Sequence, residues 1–462
     1  MEKMDKNEIF WNIINNKNNN REKFPKINKI SMNSKEIEDG DLFIAIRGGN
    51  KFVNEALEKG AYVVYDDKGS EIEENYKNKS FFVNDTILFL QEFAKKWRKA
   101  LNVKVIGITG SNGKTTVKDM TYQFLSSKYK GKKTEGNYNN HIGLPFTLLR
   151  LEKDDEFIIL EMGMSGFGEI AILGEIARPD ISIITNIGDS HLEFLHSREN
   201  VFKAKTEILP YTKETLIING DDEYLKKLEK NTLKIIKVLN TGNEEKKINK
   251  ENPDFYYSNV NFNENGTDFY LKYFEEKKEI IHEKSFKTNV LGQHNILNIT
   301  MAIAAAKECG VENKYIEETV NNIKLTDMRF QIMERGDTVY INDAYNASPS
   351  SMEKSLETFS EIYNDRVKIA VLGDMLELGE RELELHSSLS EVIKRIKVDK
   401  IYLYGMRMKS LYNKLQENYG NEREVRYFSY KNEIKEKLKE ITGRRAILIK
   451  GSRGMKLEEI IE

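Results

Sequence analysis

Residues 103–126 constrain the fold more than any other stretch. An apolar, β-branched run at 103–109 ends in Gly110-Ser111-Asn112-Gly113-Lys114-Thr115-Thr116, and a helical pattern follows over 117–126. A strand that feeds a glycine-rich turn opening a helix is a phosphate cradle. Its glycines let the backbone turn tightly and aim N–H groups inward, and the helix N-terminus adds a positive field. In such a cradle Lys114 neutralises the β/γ-phosphates and the Thr115 hydroxyl ligates Mg²⁺. The strict G-x-x-x-x-G-K-[ST] spacing is not met, because its first glycine would fall on Ile108, between Gly107 and Gly110. A plain surface turn would not account for Lys-Thr-Thr opening the helix, so a nucleoside triphosphate is expected here.

The rest of the chain alternates short apolar runs with amphipathic stretches, the pattern of parallel sheets covered by helices. Strand candidates are 41–46, 61–65, 103–109, 156–161, 180–186, 215–219 and 234–239, then 338–342, 367–372, 400–404 and 446–450. At 462 residues the chain is too long for one core, and length suggests about three domains. Seams near 98–102, after a helix-like stretch at 88–100, and near 312–328 divide it into 1–99, 100–314 and 315–462. The expected class is α/β. A small N-terminal α/β domain precedes a central P-loop domain with a mostly parallel sheet, and a Rossmann-like C-terminal domain follows. The lysine- and glutamate-rich stretch 243–288 reads as an antiparallel insertion flanking the central sheet, and the asparagines at 15–20 read as a solvated loop.

Charge and cysteine content exclude several classes. Lys and Arg (72) nearly balance Asp and Glu (74), so no global basic field exists to hold nucleic acid or an anionic membrane. No stretch approaches the ~18 apolar residues of a membrane span, and the charged N-terminus lacks a signal-type run. The single cysteine, Cys309, rules out an internal disulfide and sits in an Ala-rich helical run, where a buried small side chain is the expected role. A reducing, cytoplasmic setting follows.

Three later segments place oxygen and nitrogen donors at predicted strand ends, where open α/β sheets gather ligands. Glu161 closes an apolar run and, beside a phosphate loop, is a good Mg²⁺ ligand. Asn186 precedes Gly188-Asp189-Ser190-His191-Leu192-Glu193. A neutral imidazole is an uncommon Mg²⁺ ligand, so the residues alone leave His191 open. Lys205, in a helical stretch from about Arg198, would ordinarily be a solvated or salt-bridged face residue, and periodicity says no more.

Taken together these segments resemble the Mur ligase family. The phosphate loop is followed by 135–149 (EGNYNNHIGLPFTLL), Glu161-Met162-Gly163-Met164, the Asn186 to Glu193 segment, 197–209 (SRENVFKAKTEIL) and 291–298 (LGQHNILN). Asp327-Met328-Arg329-Phe330, 343–352 (DAYNASPSSM), 372–379 (LGDMLELG) with His386, and 450–453 (KGSR) continue the likeness over nearly the whole chain. The last motifs point to the branch that adds D-alanyl-D-alanine to UDP-N-acetylmuramoyl-tripeptide in peptidoglycan biosynthesis.

The resemblance implies that Gly110, Ser111, Asn112, Gly113, Lys114, Thr115 and Thr116 hold ATP, with Asn295 at adenine, Asp343 at ribose, Asn346 nearby and Arg329 at the phosphates. Thr115 and Glu161 would hold one Mg²⁺ and His191 a second. Lys205 matches the lysine that this family carbamylates with CO₂, which turns a cation into a carboxylate-like metal ligand. Lys114, His191, Lys205 and Arg329 are the implied catalytic residues. Ser31 and Ser34 would meet the uridine diphosphate of the precursor in the first domain, and Asn139 and Asn140 the rest of the substrate. The C-terminal domain would bind the incoming dipeptide and close on ATP, with the protein a monomer. The chain departs from the family pattern at Asn33 and Lys35, where Asp and Arg are usual, at Asn50 in place of histidine, and at His196 in place of glycine. Rival readings are another amide ligase of the superfamily, such as a folylpolyglutamate synthase, or a nucleotide-dependent switch. The guanine-specific Asn-Lys-x-Asp is absent, and a switch has no need of Glu161, His191 and Lys205 together.

Overall fold

The apolar runs form three separate sheets. The computed structural model describes residues 4–14, 25–229, 232–242, 254–275, 279–419 and 423–461. The asparagine stretch 15–20 and residues 243–253 of the charged insertion lie outside the described residues. The first sheet orders four parallel strands, Ile30–Ser31, Leu42–Ile44, Tyr62–Tyr65 and Ser80–Phe82.

The central sheet has nine strands. From one edge they run Gly131–Lys133, Phe157–Glu161, Lys104–Thr109, Ile181–Ile184, Thr215–Asn219, Lys234–Asn240 and Phe255–Asn263, all parallel. Gly266–Glu275 and Ile280–Thr288 then continue it antiparallel, so the stretch read as a flanking antiparallel insertion extends the sheet itself, and its first described strand joins parallel. Strands buried on both faces read as unbroken apolar runs, and Phe157–Glu161 and Ile181–Ile184 are buried at every position.

Thr86–Ala100 joins the N-terminal body to the central one. Asp85 caps it by accepting from Ile87 N and Leu88 N, and Phe89, Leu90, Phe93, Ala94 and Trp97 recur at helical spacing on its buried face. That face packs into one continuous core, which joins Phe10, Trp11 and Leu42 to Leu144, Ile158 and Ile170 of the central body. Arg98 closes the joint. It donates to Ala177 O at 3.0 Å and to Asp180 Oδ2 at 3.1 Å, and the same oxygen accepts from Val105 N at 2.8 Å. Asp180→Asn should therefore lower the urea unfolding free energy by about 3–5 kcal/mol, because it strands a buried guanidinium. The double variant Arg98→Met/Asp180→Asn should recover much of that loss, since the unpaired charge goes with its partner.

The helix Asn313–Asn321 still packs on the central body, against Ile280–Thr288 and Lys114–Ser126. The chain then crosses to a third sheet of six strands, ordered Gln331–Arg335, Thr338–Asp343, Arg445–Lys450, Val367–Gly373, Lys400–Tyr404 and Glu424–Phe428. Only its first pair is antiparallel. Ser348 and Pro349 start its helix Pro349–Glu361 with a reciprocal capping box between Ser348 and Ser351. Among the described residues no helix is long and apolar enough to cross a membrane.

Candidate functional site

Lys104–Thr109 delivers the phosphate loop, and its two neighbours deliver Glu161 and, just past Ile184, Thr185 and Asn186. The neighbours lie on opposite sides of Lys104–Thr109, so the three carboxyl ends bracket a topological switch point. Gly110 has φ 149° and Gly113 φ 82°. A Cβ at Gly110 would overlap the Thr185 side chain, and one at Gly113 would press on Asn298, so both positions require glycine. The loop is fastened from behind. Thr185 Oγ1 donates to Asn112 O at 2.6 Å, and Asn112 N to Asn186 Oδ1 at 3.0 Å. Ser111 Oγ accepts from Gly188 N at 2.8 Å and from the Ser190 hydroxyl at 2.9 Å.

Lys114 Nζ folds back onto the carbonyls of Gly110 (2.7 Å) and Ser111 (3.3 Å). Its enclosure lowers its pKa from the ordinary lysine value, with Glu161 opposing the shift and Arg329 adding to it. Thr115 and Thr116 follow in the first helical turn, and both are buried. Glu161 Oε1 accepts from Asn139 Nδ2 at 3.1 Å, whereas Oε2 is buried with no hydrogen bond and with Lys118 Nζ 3.7 Å away. A buried carboxylate oxygen lacking a donor is an open seat for a cation. Among the described residues no three His, Cys, Asp or Glu side chains gather into a metal cage. Mg²⁺ does not require one, since it takes one or two protein ligands and completes its shell with water and phosphate oxygens.

The helix Arg198–Thr206 turns Lys205 into the interior, where it is 1% exposed. Among the described residues no carboxylate is within ion-pair distance of it. Burial first, and then the charge of Lys114, push its pKa well below the ordinary lysine value. Burial without a carboxylate partner thus disfavours the charged form of the Lys205 amine. His191 adopts a left-handed backbone, φ 56°. Its Nδ1 is 3.1 Å from Glu377 Oε2, but the angle makes no hydrogen bond and Nδ1 is left unpartnered.

The C-terminal body supplies the facing wall. Arg329 stands between Met328 (φ 60°) and Phe330 (φ 56°), and left-handed backbone on both sides costs roughly 1–2 kcal/mol per residue. Its guanidinium carbon sits 4.0 Å from the centre of the Tyr345 ring, Nη2 donates to Thr115 Oγ1 at 2.9 Å, and Nε is buried without a partner. Asp343 accepts from Phe330 N (3.1 Å), Ser355 Oγ (2.6 Å) and Lys450 Nζ (2.6 Å). Asn295 bonds Leu291 O and Asn298, and Asn346 accepts from Ala347 N. Asn140 caps Gly143 N at 2.9 Å beside Asn139.

Lys114, Thr115, Thr116, Glu161, His191, Asn295, Arg329, Asp343, Asn346, Asn139 and Asn140 all line one cleft of about 650 Å³, large enough for a nucleotide. Gly110 and Lys205 do not line it, and neither do Ser31 and Ser34. They sit in the N-terminal body, where Ser31 Oγ accepts from Asn33 N at 3.1 Å and Ser34 O accepts from Lys59 Nζ at 2.8 Å. Sequence reasoning missed Lys118 and Glu377. Lys118 stands four residues after Lys114, hence on the same helix face, which was the available signal. Glu377 lay inside a quoted motif, and nothing in its spacing revealed which way it faces. Asp374 and His386, which carried no role, are committed to the backbone: Asp374 Oδ1 accepts from Met408 N and His386 Nε2 from Met375 N, both at 2.9 Å.

Comparison with known proteins agrees with this arrangement. Residues 108–306 match the Mur ligase middle domain and 328–453 the Mur ligase glutamate ligase domain. The UDP-N-acetylmuramoyl-tripeptide–D-alanyl-D-alanine ligase of Bacillus subtilis is 36% identical across 94% of this chain and 93% of its own length. The enzyme of the same name from Rickettsia prowazekii is 34% identical over 94% of each. A MurF ligase of Thermotoga maritima, solved in complex with ADP, superposes with a TM-score of 0.80 at 27% identity over 95% of this chain and 96% of that one. The chain belongs to the Mur ligase family, among its D-alanyl-D-alanine-adding members.

Proposed function

We propose that the chain is an ATP-dependent ligase. It joins D-alanyl-D-alanine to the peptide carboxylate of UDP-N-acetylmuramoyl-tripeptide, giving the pentapeptide precursor of peptidoglycan, ADP and phosphate. The observation that carries this reading is the shared cleft, in which Lys114 and Thr115 of one body face Arg329 and Asp343 of another. In this reading residues 1–99 hold the uridine diphosphate through Ser31 and Ser34. Residues 100–314 bind ATP, and residues 315–462 bring the dipeptide and close on the nucleotide.

A carboxylate is a poor electrophile, so it must be activated. One of its oxygens attacks the γ-phosphorus, ADP leaves, and an acyl phosphate remains. The dipeptide amine then attacks the carbonyl carbon, phosphate leaves, and the nitrogen gives up its proton. Two anions must meet in the first step, so the demand is for fixed positive charge more than for covalent help. Lys114 and Arg329 supply it from opposite walls. Arg329 keeps an unpaired Nε beside its Thr115 contact, and the Thr115 hydroxyl has a second lone pair free for a metal. Thr115 and Glu161 would hold one Mg²⁺, and His191 with carbamylated Lys205 a second. When bound, these ions supply charge neutralisation at the phosphate oxygens. In its unprotonated form the Lys205 amine would add to CO₂, forming an N–C bond and releasing a proton to leave an anionic carbamate. ATP as co-substrate assigns the reaction to the cytoplasm, without nucleic acid or membrane insertion, and a monomer suffices because one chain builds both walls.

Phosphate release should depend on all three substrates. Purified protein with ATP, Mg²⁺ and the tripeptide precursor should release phosphate steadily only after D-alanyl-D-alanine is added. Turnover with a different amine instead would move the enzyme to another branch. Equal release without any amine would leave only a nucleotide hydrolase.

A further inference from the structure

An amine acceptor carries a cation into this cleft, and the cleft offers it few anions. Glu161 is engaged by Asn139 with Lys118 behind it, and Glu169 accepts from Ser165 N at 3.0 Å. Asp189 is gripped by both prongs of Arg198. Asp222 accepts from the backbone of Ile187, Tyr224 and Leu225, and Asp343 is held by Lys450 and Ser355. Glu377 is the one exposed residue among the carboxylates lining the cleft. Its side chain is 60% exposed and accepts no hydrogen bond from the described residues, although His191 Nδ1 lies 3.1 Å from Oε2 and the charge of Lys114 also reaches it.

The loop presenting Glu377 is rigid. Met375 N donates to His386 Nε2 and Leu376 N to Ser452 Oγ, each at 2.9 Å, while Leu378 is buried. Glu377 itself is held at φ 63°, and Gly379 (φ 66°) abuts the backbone of Glu193 in the central body. An exposed carboxylate on a braced loop, at the line where the two bodies meet, is preorganised for a cation.

We propose that Glu377 holds the ammonium group of the incoming dipeptide, which makes it a specificity-determining residue for the amine acceptor. This rests on the ligase reading above. The test compares wild type with Glu377→Gln, a near-isosteric change at an accessible position. Losing one charge-assisted hydrogen bond should raise KM for D-alanyl-D-alanine by about tenfold to a hundredfold. KM for ATP and precursor should stay within about twofold, because those ligands do not meet the carboxylate. The dipeptide analogue with a hydroxyl in place of the ammonium serves as an inhibitor probe, and its inhibition constant should be the same in both proteins. An unchanged dipeptide KM or an equal loss of analogue binding would each overturn the assignment. A wild type without dipeptide-dependent turnover would instead remove the ligase reading itself.

Discussion

Lys205→Ala is expected to lose about a hundredfold to a thousandfold in kcat, the usual cost of removing one preorganised electrostatic partner. It should lose little or no stability, and that contrast is the informative part. An amine that is 1% exposed with no carboxylate beside it is an electrostatic burden on the folded state. Deleting an unpaired buried polar group is often neutral or stabilising, apart from the packing of its aliphatic stem. In the ligase reading proposed above, a residue that burdens the fold in this way is there for chemistry. If that chemistry is a carbamate, the missing part is a small anion, so formate or acetate should restore part of the rate to Lys205→Ala. Steady-state kinetics across a carboxylate titration check this, with urea unfolding as the control. Full activity in the variant, or a defect that no carboxylate relieves alongside a collapsed fold, would count against the carbamate.

Arg329→Ala should lose a comparable factor, about 10²–10³ in kcat, with a urea midpoint close to wild type. The guanidinium reaches across to Thr115 and carries no core side chain with it, so its removal breaks a bridge and not a layer. Arg329→Lys separates charge from shape. Lysine restores the cation but loses the flat stack on Tyr345 and the forked donors, so it should recover only part of the rate. Near-normal ligation by a well-folded alanine variant would place the phosphate contact elsewhere.

The strands that position the site were legible because they are buried on both faces. Phe157–Glu161 and Ile181–Ile184 have no polar alternation to blur them, and Glu161 was visible as the charge that ends such a run. Edge strands were not legible for the converse reason. Gly131–Lys133, Gln331–Arg335 and Glu424–Phe428 are largely half-exposed or exposed, and only hydrogen bonding to a neighbour makes them strands. The Arg98–Asp180 lock pairs residues far apart in sequence, and no local pattern announces it. In the site, glycine, lysine and threonine at fixed offsets revealed the phosphate loop. Lys205 looked like an ordinary surface lysine until the fold buried it, and Glu377 was one unremarked position of a quoted motif until the two bodies met.

The most direct measurement follows the oxygen atoms. The tripeptide precursor, carrying heavy oxygen in its terminal carboxylate, is incubated with ATP, Mg²⁺ and D-alanyl-D-alanine, and both products are weighed. The account predicts a pentapeptide precursor appearing in step with phosphate that has gained one heavy oxygen from the carboxylate. Phosphate released at the same rate without dipeptide, and carrying no heavy oxygen, would contradict it.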